Sequence, residues 1–258
     1  MIWNYRAPWW LPSGNAQTIY AAKVARRYAG EKPRWGRERW DTPDGDFVDV
    51  DWRTDNVAVS DNAPLLVLFH GLEGSSSSHY AQAFAAEAQT RRWRMAIPHF
   101  RGCSGEINRA PRAYHSGDFE EVGWMLQRFR SQHRGPLYAV GISLGGNALM
   151  RWAGEMGQAA AQVVNGVASV CSPIDLTASG HAIDTGFNKA VYARMFLGSM
   201  KPRAMQKLQQ FPGLFDPEAL MAAKTLYAFD DVFTAPLHGF RNTKDYWGRA
   251  SAKPGLSR

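Results

Sequence analysis

Residues 141–145 read Gly-Ile-Ser-Leu-Gly and match the pattern G-x-S-x-G. This pattern is typical of a nucleophile elbow, a strained turn between a strand and a helix that exposes a serine hydroxyl. Glycines near the serine relieve crowding in such a turn, and the start of the following helix favours negative charge there. The pattern therefore predicts Ser143 as a nucleophile for acyl chemistry. The alternative is a glycine-rich turn with an idle serine.

A second motif, Phe-His-Gly-Leu-Glu-Gly, occupies residues 69–74 after an apolar segment. A His-Gly turn in this position supplies one backbone N–H to an oxyanion hole, and the residue after the nucleophile supplies another. We therefore expect the backbone N–H groups of Leu72 and Leu144 to face a common oxygen, where one such donor contributes about 3 to 4 kcal/mol. His70 itself is interpreted as a residue that shapes the turn rather than as a base.

A nucleophilic serine needs a base, and the base needs an acid that orients it. The chain order in proteins with this elbow is serine, acid, histidine, and only His181 and His238 follow Ser143. His238 with Asp230 or Asp231 has the right order. The short spacing argues against this pair, because the acid and the histidine usually follow separate strands. Asp230 and His238 are therefore kept only as a fallback pair.

The elements around these residues alternate between strands and helices. A hairpin is predicted over residues 37–53, where two alternating segments flank a Pro-Asp-Gly turn. Continuous apolar segments predict strands covered on both faces at residues 65–69, 94–100, 136–143 and 163–173. Apolar residues at helical spacing predict helices at residues 79–93, 118–132 and 144–155. This alternation indicates an α/β fold with a mostly parallel sheet and helices on both faces.

Changes in composition and in the pattern of predicted elements divide the chain into three parts. Residues 1–36 form an N-terminal arm rich in tryptophan and basic residues, residues 37–173 form the α/β core with the elbow, and residues 174–258 form a helical cap without a clear strand. Three aromatic residues of the cap are candidates for lining an acyl pocket or, alternatively, for the cap's own core: Phe187, Tyr192 and Phe196.

Five blocks of the sequence together resemble a known family. They read PWWLPSGNAQTIY, HGLEGSSSSHYAQAFA, HFRGCSGEINRAPRAYHSGDFEEV, AVGISLGGNALMRWAGE and FPGLFD. These blocks span nearly the whole chain and are similar to the YheT-like branch of the α/β-hydrolases. The resemblance implies the α/β-hydrolase fold, Ser143 as nucleophile, and Leu72 and Leu144 as oxyanion donors. It also implies hydrolysis of short- to medium-chain or lipid carboxylic esters, without a metal or cofactor.

The chain departs from this family in one respect. The family carries its acid in an Asp-Asp-Pro or Asn-Asp-Pro loop and its histidine in a Gly-Gly-His loop, and neither pattern occurs here. We therefore expect the core strands that carry the acid and the histidine to be missing, either in a fragment or in a genuinely shortened protein. Ser143 would then be a poor nucleophile, and activity would be impaired. The unfinished sheet edge would promote self-association.

Two other functions stay open at this point. An acyltransferase would form the same acyl-enzyme and pass the acyl group to an alcohol or thiol instead of water. A non-catalytic binding protein would keep the pocket without the triad, and the absent acid and base favour this interpretation.

The bulk composition excludes several classes of protein. The net charge is +7, but the basic residues are scattered among acids and no nucleic-acid-binding motif accompanies them, so no nucleic-acid partner is expected. No apolar run approaches the ~18 to 20 residues of a membrane span, and the N-terminus does not resemble a signal peptide. We expect a cytoplasmic protein with a small-molecule ester substrate and, through the arm, at most weak membrane-surface contact. Cys103 and Cys171 are expected to be reduced.

Overall fold

A computed structural model describes residues 5–28, 30–55 and 59–256. Its strands are β1 Trp35–Asp41, β2 Phe47–Arg53, β3 Leu65–Phe69, β4 Arg94–Pro98, β5 Leu137–Ile142 and β6 Gly166–Val170. They form one sheet in the order β1-β2-β4-β3-β5-β6. β3 runs parallel to β4 and to β5, and β5 runs parallel to β6. The sheet is thus mostly parallel, which confirms the predicted α/β class.

The sheet begins with the predicted hairpin. β1 pairs antiparallel with β2, with Asp41 opposite Phe47, and the turn between them contains Gly45 at a φ of +77°. Glycine adopts this left-handed conformation without steric cost. β2 then pairs antiparallel with β4, so the hairpin extends the parallel strands on the side away from β5.

The N-terminal arm lies outside the main core, and residues 1–4 of the predicted arm lie outside the described residues. Its helix α1 (Gly14–Lys23) has no buried residue, and Trp9 is 90% exposed. The arm is tied to the cap region where Tyr192 Oη donates to Asn15 Oδ1 at 3.1 Å. Over the described ranges, no helix combines the length and the apolarity needed to cross a membrane.

Helices cover both faces of the sheet. α2 (His79–Thr90) packs on one face against Leu66, Leu68 and Ile97. α3 (Phe119–Gln132) and α4 (Leu144–Met156) pack on the opposite face. Full burial of a side chain such as leucine or phenylalanine contributes about 1.5 to 3 kcal/mol. The two layers therefore hold rigidly the strands that position the elbow.

β6 differs from the prediction of a strand covered on both faces. The strand is shorter than the predicted segment, and Val167 and Val170 are 39% and 38% exposed. The physical reason is its position, because β6 is the last strand in the sheet order and pairs only with β5 among the described residues. Val163 and Val164 of the same segment precede the strand and are buried in the core instead.

Residues 174–256 form helices and loops, with no strand in this part of the described chain. The helices are α5 Leu176–Ile183, α6 Gly186–Asn188, α7 Arg194–Gln210, α8 Pro217–Ala222, α9 Leu226–Phe229, α10 Ala235–Leu237 and α11 Thr243–Ala250. Leu197, Leu220, Phe229 and Phe233 belong to a separate apolar cluster. The predicted helical character is confirmed, whereas the division into arm, core and cap stays a prediction.

Asn147 of α4 anchors the end of this helical region to the sheet layer. Its side chain is fully buried. Its Nδ2 donates to the carbonyl oxygens of Ser116 and Ala250 at 2.8 and 2.9 Å, and its Oδ1 accepts from Ala252 N–H at 3.0 Å. A buried amide satisfied in this way fixes the geometry of all three segments. The helix that begins at the elbow thus also holds the chain that follows α11.

A single added methyl group tests how tightly α4 packs on β3. A Cβ on Gly145 would lie 2.5 Å from Phe69 O and 2.8 Å from the Phe69 carbonyl carbon. Because the backbone of a buried strand cannot easily move, we expect Gly145→Ala to lower the free energy of unfolding by about 1 to 3 kcal/mol.

Gly198→Ala in α7 is the matched control, since a Cβ on Gly198 would meet nothing within 4 Å. Alanine should stabilise that exposed helix by up to ~1 kcal/mol. Urea unfolding of both variants measures the difference, and equal stability of the two would contradict the packing argument.

Candidate active site

Ser143 occupies the sharp turn between β5 and α4. Its φ of 51° and ψ of −117° lie in a region that non-glycine residues rarely adopt, and such a conformation costs about 1 to 3 kcal/mol. Hydrogen bonds hold it there. Ser143 N–H donates to Val170 O at 2.9 Å, and Ser143 O accepts from Gly146 N–H at 3.0 Å and from Asn147 N–H at 3.1 Å. The G-x-S-x-G segment therefore forms a strained strand-to-helix turn with the serine at its apex.

The turn after β3 approaches this elbow closely. A Cβ on Gly71 would lie 3.3 Å from Ser143 Cβ, and the turn is closed by Gly74 N–H, which donates to Gly71 O at 2.9 Å. Leu72 and Leu144 line one cavity together with Ser143. In the described part of the chain, neither the Leu72 N–H nor the Leu144 N–H donates to a protein acceptor. Both groups are therefore free for an oxygen of a ligand, as an oxyanion hole requires.

His70 holds this turn in place. It is fully buried, its Nδ1 lies 2.7 Å from Gly71 O, and its Nε2 accepts from Phe100 N–H at 3.1 Å. Because Nε2 accepts, the ring proton is on Nδ1 and is donated to Gly71 O. Burial lowers the pKa of His70 to about 3, so the imidazole is neutral. Both ring nitrogens are engaged, which agrees with a shaping role rather than that of a base.

Ser143 borders a cavity between the sheet layer and the helices that follow β6. The cavity has a volume of about 150 Å³. Its lining is mostly apolar and aromatic and includes Leu72, Leu144, Phe196, Met200, Phe229 and Phe233. Of the three aromatic residues predicted for a pocket, Phe196 lines this cavity, whereas Phe187 and Tyr192 do not. A mostly apolar enclosure with a few polar groups is typical of a small-molecule site.

Comparison with known proteins agrees with this geometry. The family described as alpha/beta hydrolase fold matches residues 64–249, which run from the start of β3 into α11. The chain belongs to the α/β-hydrolase family. The fold family implied by the sequence blocks is therefore confirmed.

The chain is similar to several proteins that are named as esterases or phospholipases. It is 39% identical over 239 residues to the Escherichia coli (strain K12) protein named "Putative esterase YheT", and the match covers 92% of this chain and 68% of that one. It is 24% identical over 249 residues to phospholipase ABHD3 of Mus musculus, and the match covers 94% and 59%. The solved structure of the Pyrococcus furiosus esterase Pf2001 matches 71% of each chain, with 14% identity and a TM-score of 0.46. The predicted YheT-like resemblance is confirmed.

These relatives support hydrolase activity in general terms, because two of them are named as an esterase and a phospholipase. The chain spans about two thirds of the length of the E. coli relative, at 68%, and 59% of the mouse relative.

The structure does not bring a histidine into hydrogen-bond contact with Ser143 among the residues described. His238 of the fallback pair has its Nδ1 2.7 Å from Thr234 O and its Nε2 3.1 Å from Ala113 O. Both of its ring nitrogens thus face backbone carbonyl oxygens. His181, the other histidine that follows the elbow, packs against aromatic rings instead.

Asp230 lines the same cavity as Ser143 but does not pair with His238. Its Oδ2 accepts from Trp247 Nε1 at 2.8 Å, and over the described ranges it makes no hydrogen bond to an imidazole. Asp231 accepts from the backbone at the start of α11. The fallback pair is therefore not assembled with the serine. Its two members lie on one helical run, and each is engaged by other groups.

The cavity is also lined by polar residues that do not belong to the predicted site: Glu73, Tyr114, His115 and Arg203. His115 Nδ1 accepts from Gly117 N–H at 3.1 Å, which places the ring proton on Nε2, and burial lowers the pKa of His115 to about 4. It is therefore a neutral donor rather than a base in this arrangement. The sequence could have indicated Glu73 as a site residue, because it directly follows the predicted oxyanion donor Leu72. Tyr114 and Arg203 come from segments distant in the chain.

The thiols and the metal-ligand types contribute no site in the described ranges. No three His, Cys, Asp or Glu side chains gather there as a metal site would require. Cys103 and Cys171 are both free, and burial raises the pKa of Cys103 to about 11. Cys103 is therefore a packing residue rather than a nucleophile.

The pH dependence of stability tests the environment of Asp230. Burial raises its pKa to about 6, above the ~3.9 of an unfolded aspartate. The folded state thus binds this proton more tightly, so the stabilising contribution is full below about pH 4 and is lost as the pH rises through the folded pKa. Asp230→Asn keeps an acceptor for Trp247. At pH 8 it should therefore raise the free energy of unfolding by up to about 3 kcal/mol relative to wild type, and with it the melting temperature. At pH 4 it should raise neither.

Thermal unfolding at both pH values checks this expectation. Asp61→Asn on the exposed surface serves as the control and should shift neither transition. An Asp230→Asn effect of equal size at both pH values would show that the carboxyl group does not titrate in this range.

Proposed function

We propose that this chain is a serine hydrolase of carboxylic esters with Ser143 as its nucleophile. The single observation that carries the proposal is the strained apex position of Ser143, at a φ of 51°, beside two unengaged backbone N–H groups at the mouth of an apolar cavity. A hydroxyl that lines the cavity, a place for an oxyanion and an enclosure for an acyl chain are the parts that ester hydrolysis needs.

The reaction proceeds in two halves. Ser143 Oγ attacks the ester carbonyl carbon and loses its proton to water or to a base in solution, and the carbonyl oxygen becomes an oxyanion that the Leu72 and Leu144 N–H groups bind. Collapse breaks the bond to the alkoxy group, which takes a proton and leaves as the alcohol. Water then attacks the acyl-enzyme, releases the carboxylic acid and restores the serine hydroxyl. The chemistry follows from an activated nucleophile and preorganised donors.

The cavity supports the proposed substrate class. Its volume of about 150 Å³ and its lining of side chains such as Phe196, Met200 and Phe233 suit a short or medium acyl chain, including one from a lipid ester. The names of the relatives, an esterase and a phospholipase, are consistent with this class.

Turnover by the chain itself is expected to be slow. None of the described imidazoles reaches Ser143, so the serine lacks the base that would activate it. The oxyanion donors and substrate binding alone can still sustain roughly 10³- to 10⁴-fold catalysis over water. The impaired activity expected from the sequence therefore stays part of the proposal.

Replacement of the nucleophile tests the assignment. Ser143→Ala should abolish labelling by a fluorophosphonate probe and should reduce hydrolysis of p-nitrophenyl butyrate to the rate without protein. Added imidazole should raise the Ser143-dependent rate, because it supplies a base in solution. Ser199→Ala on the exposed face of α7 is the matched control and should keep labelling and rate. Retention of the full rate by Ser143→Ala would disprove the assignment.

A non-catalytic binding protein is the second candidate. The observation that favours it is the lack of a hydrogen bond between Ser143 and any described imidazole. A chain that binds a medium-chain fatty acid but resists the fluorophosphonate probe, with and without imidazole, would support this candidate. Acyl transfer would instead appear as a new ester when ethanol is added to the hydrolysis assay.

We also propose that the chain self-associates through the exposed edge of β6. The strand is the last of the sheet, and Val167 and Val170 are more than a third exposed. An open strand edge of this kind pairs readily with another chain. The cytoplasmic location and the weak membrane-surface contact expected from the sequence stay predictions.

A charge on the edge strand tests the association. Val167→Lys should shift the chain toward monomer in size-exclusion chromatography with light scattering, because an edge lysine disfavours strand pairing. Val24→Lys is the matched control, since Val24 is 67% exposed and follows helix α1 rather than belonging to a strand. A wild-type chain that is monomeric at high concentration would contradict the expectation.

A further inference from the structure

The residue after the proposed oxyanion donor Leu72 has an unfavourable backbone conformation. Glu73 has a φ of +57°, in the left-handed region where glycine is favoured and a residue with a Cβ pays about 1 to 2 kcal/mol. Because Glu73 has a Cβ in a backbone conformation suited to glycine, other interactions must stabilise this turn. Its side chain is largely buried, with 11% relative exposure, and it lines the cavity with Ser143.

Tyr114 clamps this residue with two hydrogen bonds. Tyr114 Oη accepts from Glu73 N–H at 2.9 Å and donates to Glu73 Oε1 at 3.0 Å. The clamp itself is rigid, because the Tyr114 ring is 9% exposed and stacks on Phe100 with centroids 5.4 Å apart. Two bonds from one fixed hydroxyl set both the backbone and the side chain of Glu73. They thereby fix the Leu72–Glu73 peptide plane, which is joined through the Leu72 α-carbon to the plane that carries the Leu72 N–H.

Arg203 adds a charge from the other side of the cavity. It lies on α7, and its Nη2 is 3.3 Å from Glu73 Oε2. The contact has ion-pair distance but not hydrogen-bond geometry, and Glu73 Oε2 is otherwise without a partner among the described groups. Arg203 Nη1 donates to Cys103 Sγ at 3.0 Å, which keeps the guanidinium in place. The buried carboxylate of Glu73 therefore has its compensating charge on a cap helix.

The other cationic side chains that line this cavity interact with groups other than Glu73. Lys207 Nζ donates to Asn108 O and Ala110 O at 2.6 and 2.9 Å, and Arg101 pairs with Asp44, Asp46 and Glu121. Arg203 is thus the cation of this lining that forms an ion pair with Glu73. Removal of Arg203 would leave a buried carboxylate uncompensated, which is costly.

We infer that Glu73, Tyr114 and Arg203 are positioning residues that align the Leu72 N–H for the oxyanion and make this alignment depend on the docking of α7. The inference rests on the proposed serine-hydrolase function. None of the three needs to touch the reacting atoms. Tyr114 and Glu73 set the turn, and Arg203 pairs with the Glu73 carboxylate only while α7 is docked against the cavity.

The test uses the second-order rate of Ser143 phosphonylation by a fluorophosphonate, with imidazole present, because the phosphoryl oxygen also enters the oxyanion hole. Tyr114→Phe removes only the hydroxyl and should lower this rate about 10- to 100-fold, somewhat less than complete loss of a donor. Tyr138→Phe is the matched control. Tyr138 stacks on Trp93 beside the opposite face of the sheet and should keep the wild-type rate.

A double-mutant cycle isolates the role of the charge. Arg203→Met should slow phosphonylation at least fivefold in the wild-type background but less than twofold in a Glu73→Gln background, where no buried charge needs compensation. Glu73→Gln alone should slow phosphonylation less than Arg203→Met does, because its Oε1 still accepts from Tyr114. A purely structural role would move the melting temperature of the variants but would leave these rates and their coupling unchanged.

The outcomes separate the two claims. A wild-type chain labelled at Ser143 whose Tyr114→Phe variant is folded and reacts within twofold of wild type overturns the inference and leaves the proposed function standing. Additive effects of Arg203→Met and Glu73→Gln overturn the role of Arg203. A wild-type chain that is not labelled at Ser143 overturns the proposed function, and the inference with it.

Discussion

The candidate site depends on the close approach of two backbone turns, one after β3 and one after β5. The elbow can hold Ser143 in a strained conformation because α4 packs directly on β3, with Gly145 against the carbonyl group of Phe69. Gly71 in turn leaves room for Ser143. A side chain at either glycine would separate the serine from the backbone donors that a developing oxyanion needs. The sheet, with helices packed on both faces, holds these two turns in contact.

The segment between β4 and α3 connects the sheet to the cavity. Asp46, buried in the hairpin turn, accepts from Asn108 Nδ2 at 2.7 Å, from Arg109 N–H at 2.6 Å and from Ala110 N–H at 3.1 Å. Burial by itself raises the pKa of Asp46, but these hydrogen bonds outweigh it, so the net shift is downward. An ionised carboxylate thus organises the loop that delivers Tyr114 to the cavity. The hairpin, far from the serine in the sheet order, contributes to the site in this way.

The helices after β6 contribute the opposite wall of the cavity, and their attachment is polar. Asn147 ties the chain after α11 to α4, and Lys207 of α7 reaches carbonyl oxygens of the loop that Asp46 organises. The wall itself is apolar, with Phe196, Phe229 and Phe233. The cations that line the cavity are paired with acids or bonded to backbone carbonyl oxygens, so that their burial is compensated.

The sequence by itself determined the elements and the nucleophile turn, because their signals are local. Apolar runs and helical spacing predicted β3, β4, β5 and the helices between them, and G-x-S-x-G predicted the strand-to-helix turn at Ser143. The sequence overestimated the length and the burial of β6. An apolar run indicates which side chains can be buried, but not whether a neighbouring element covers them. It offered Asp230 and His238 from their order in the chain, and the structure engages each with other groups. Only the tertiary structure decided which residues surround the serine. Glu73, Tyr114 and Arg203 come from three separate segments, and their meeting depends on packing between elements that no local pattern records.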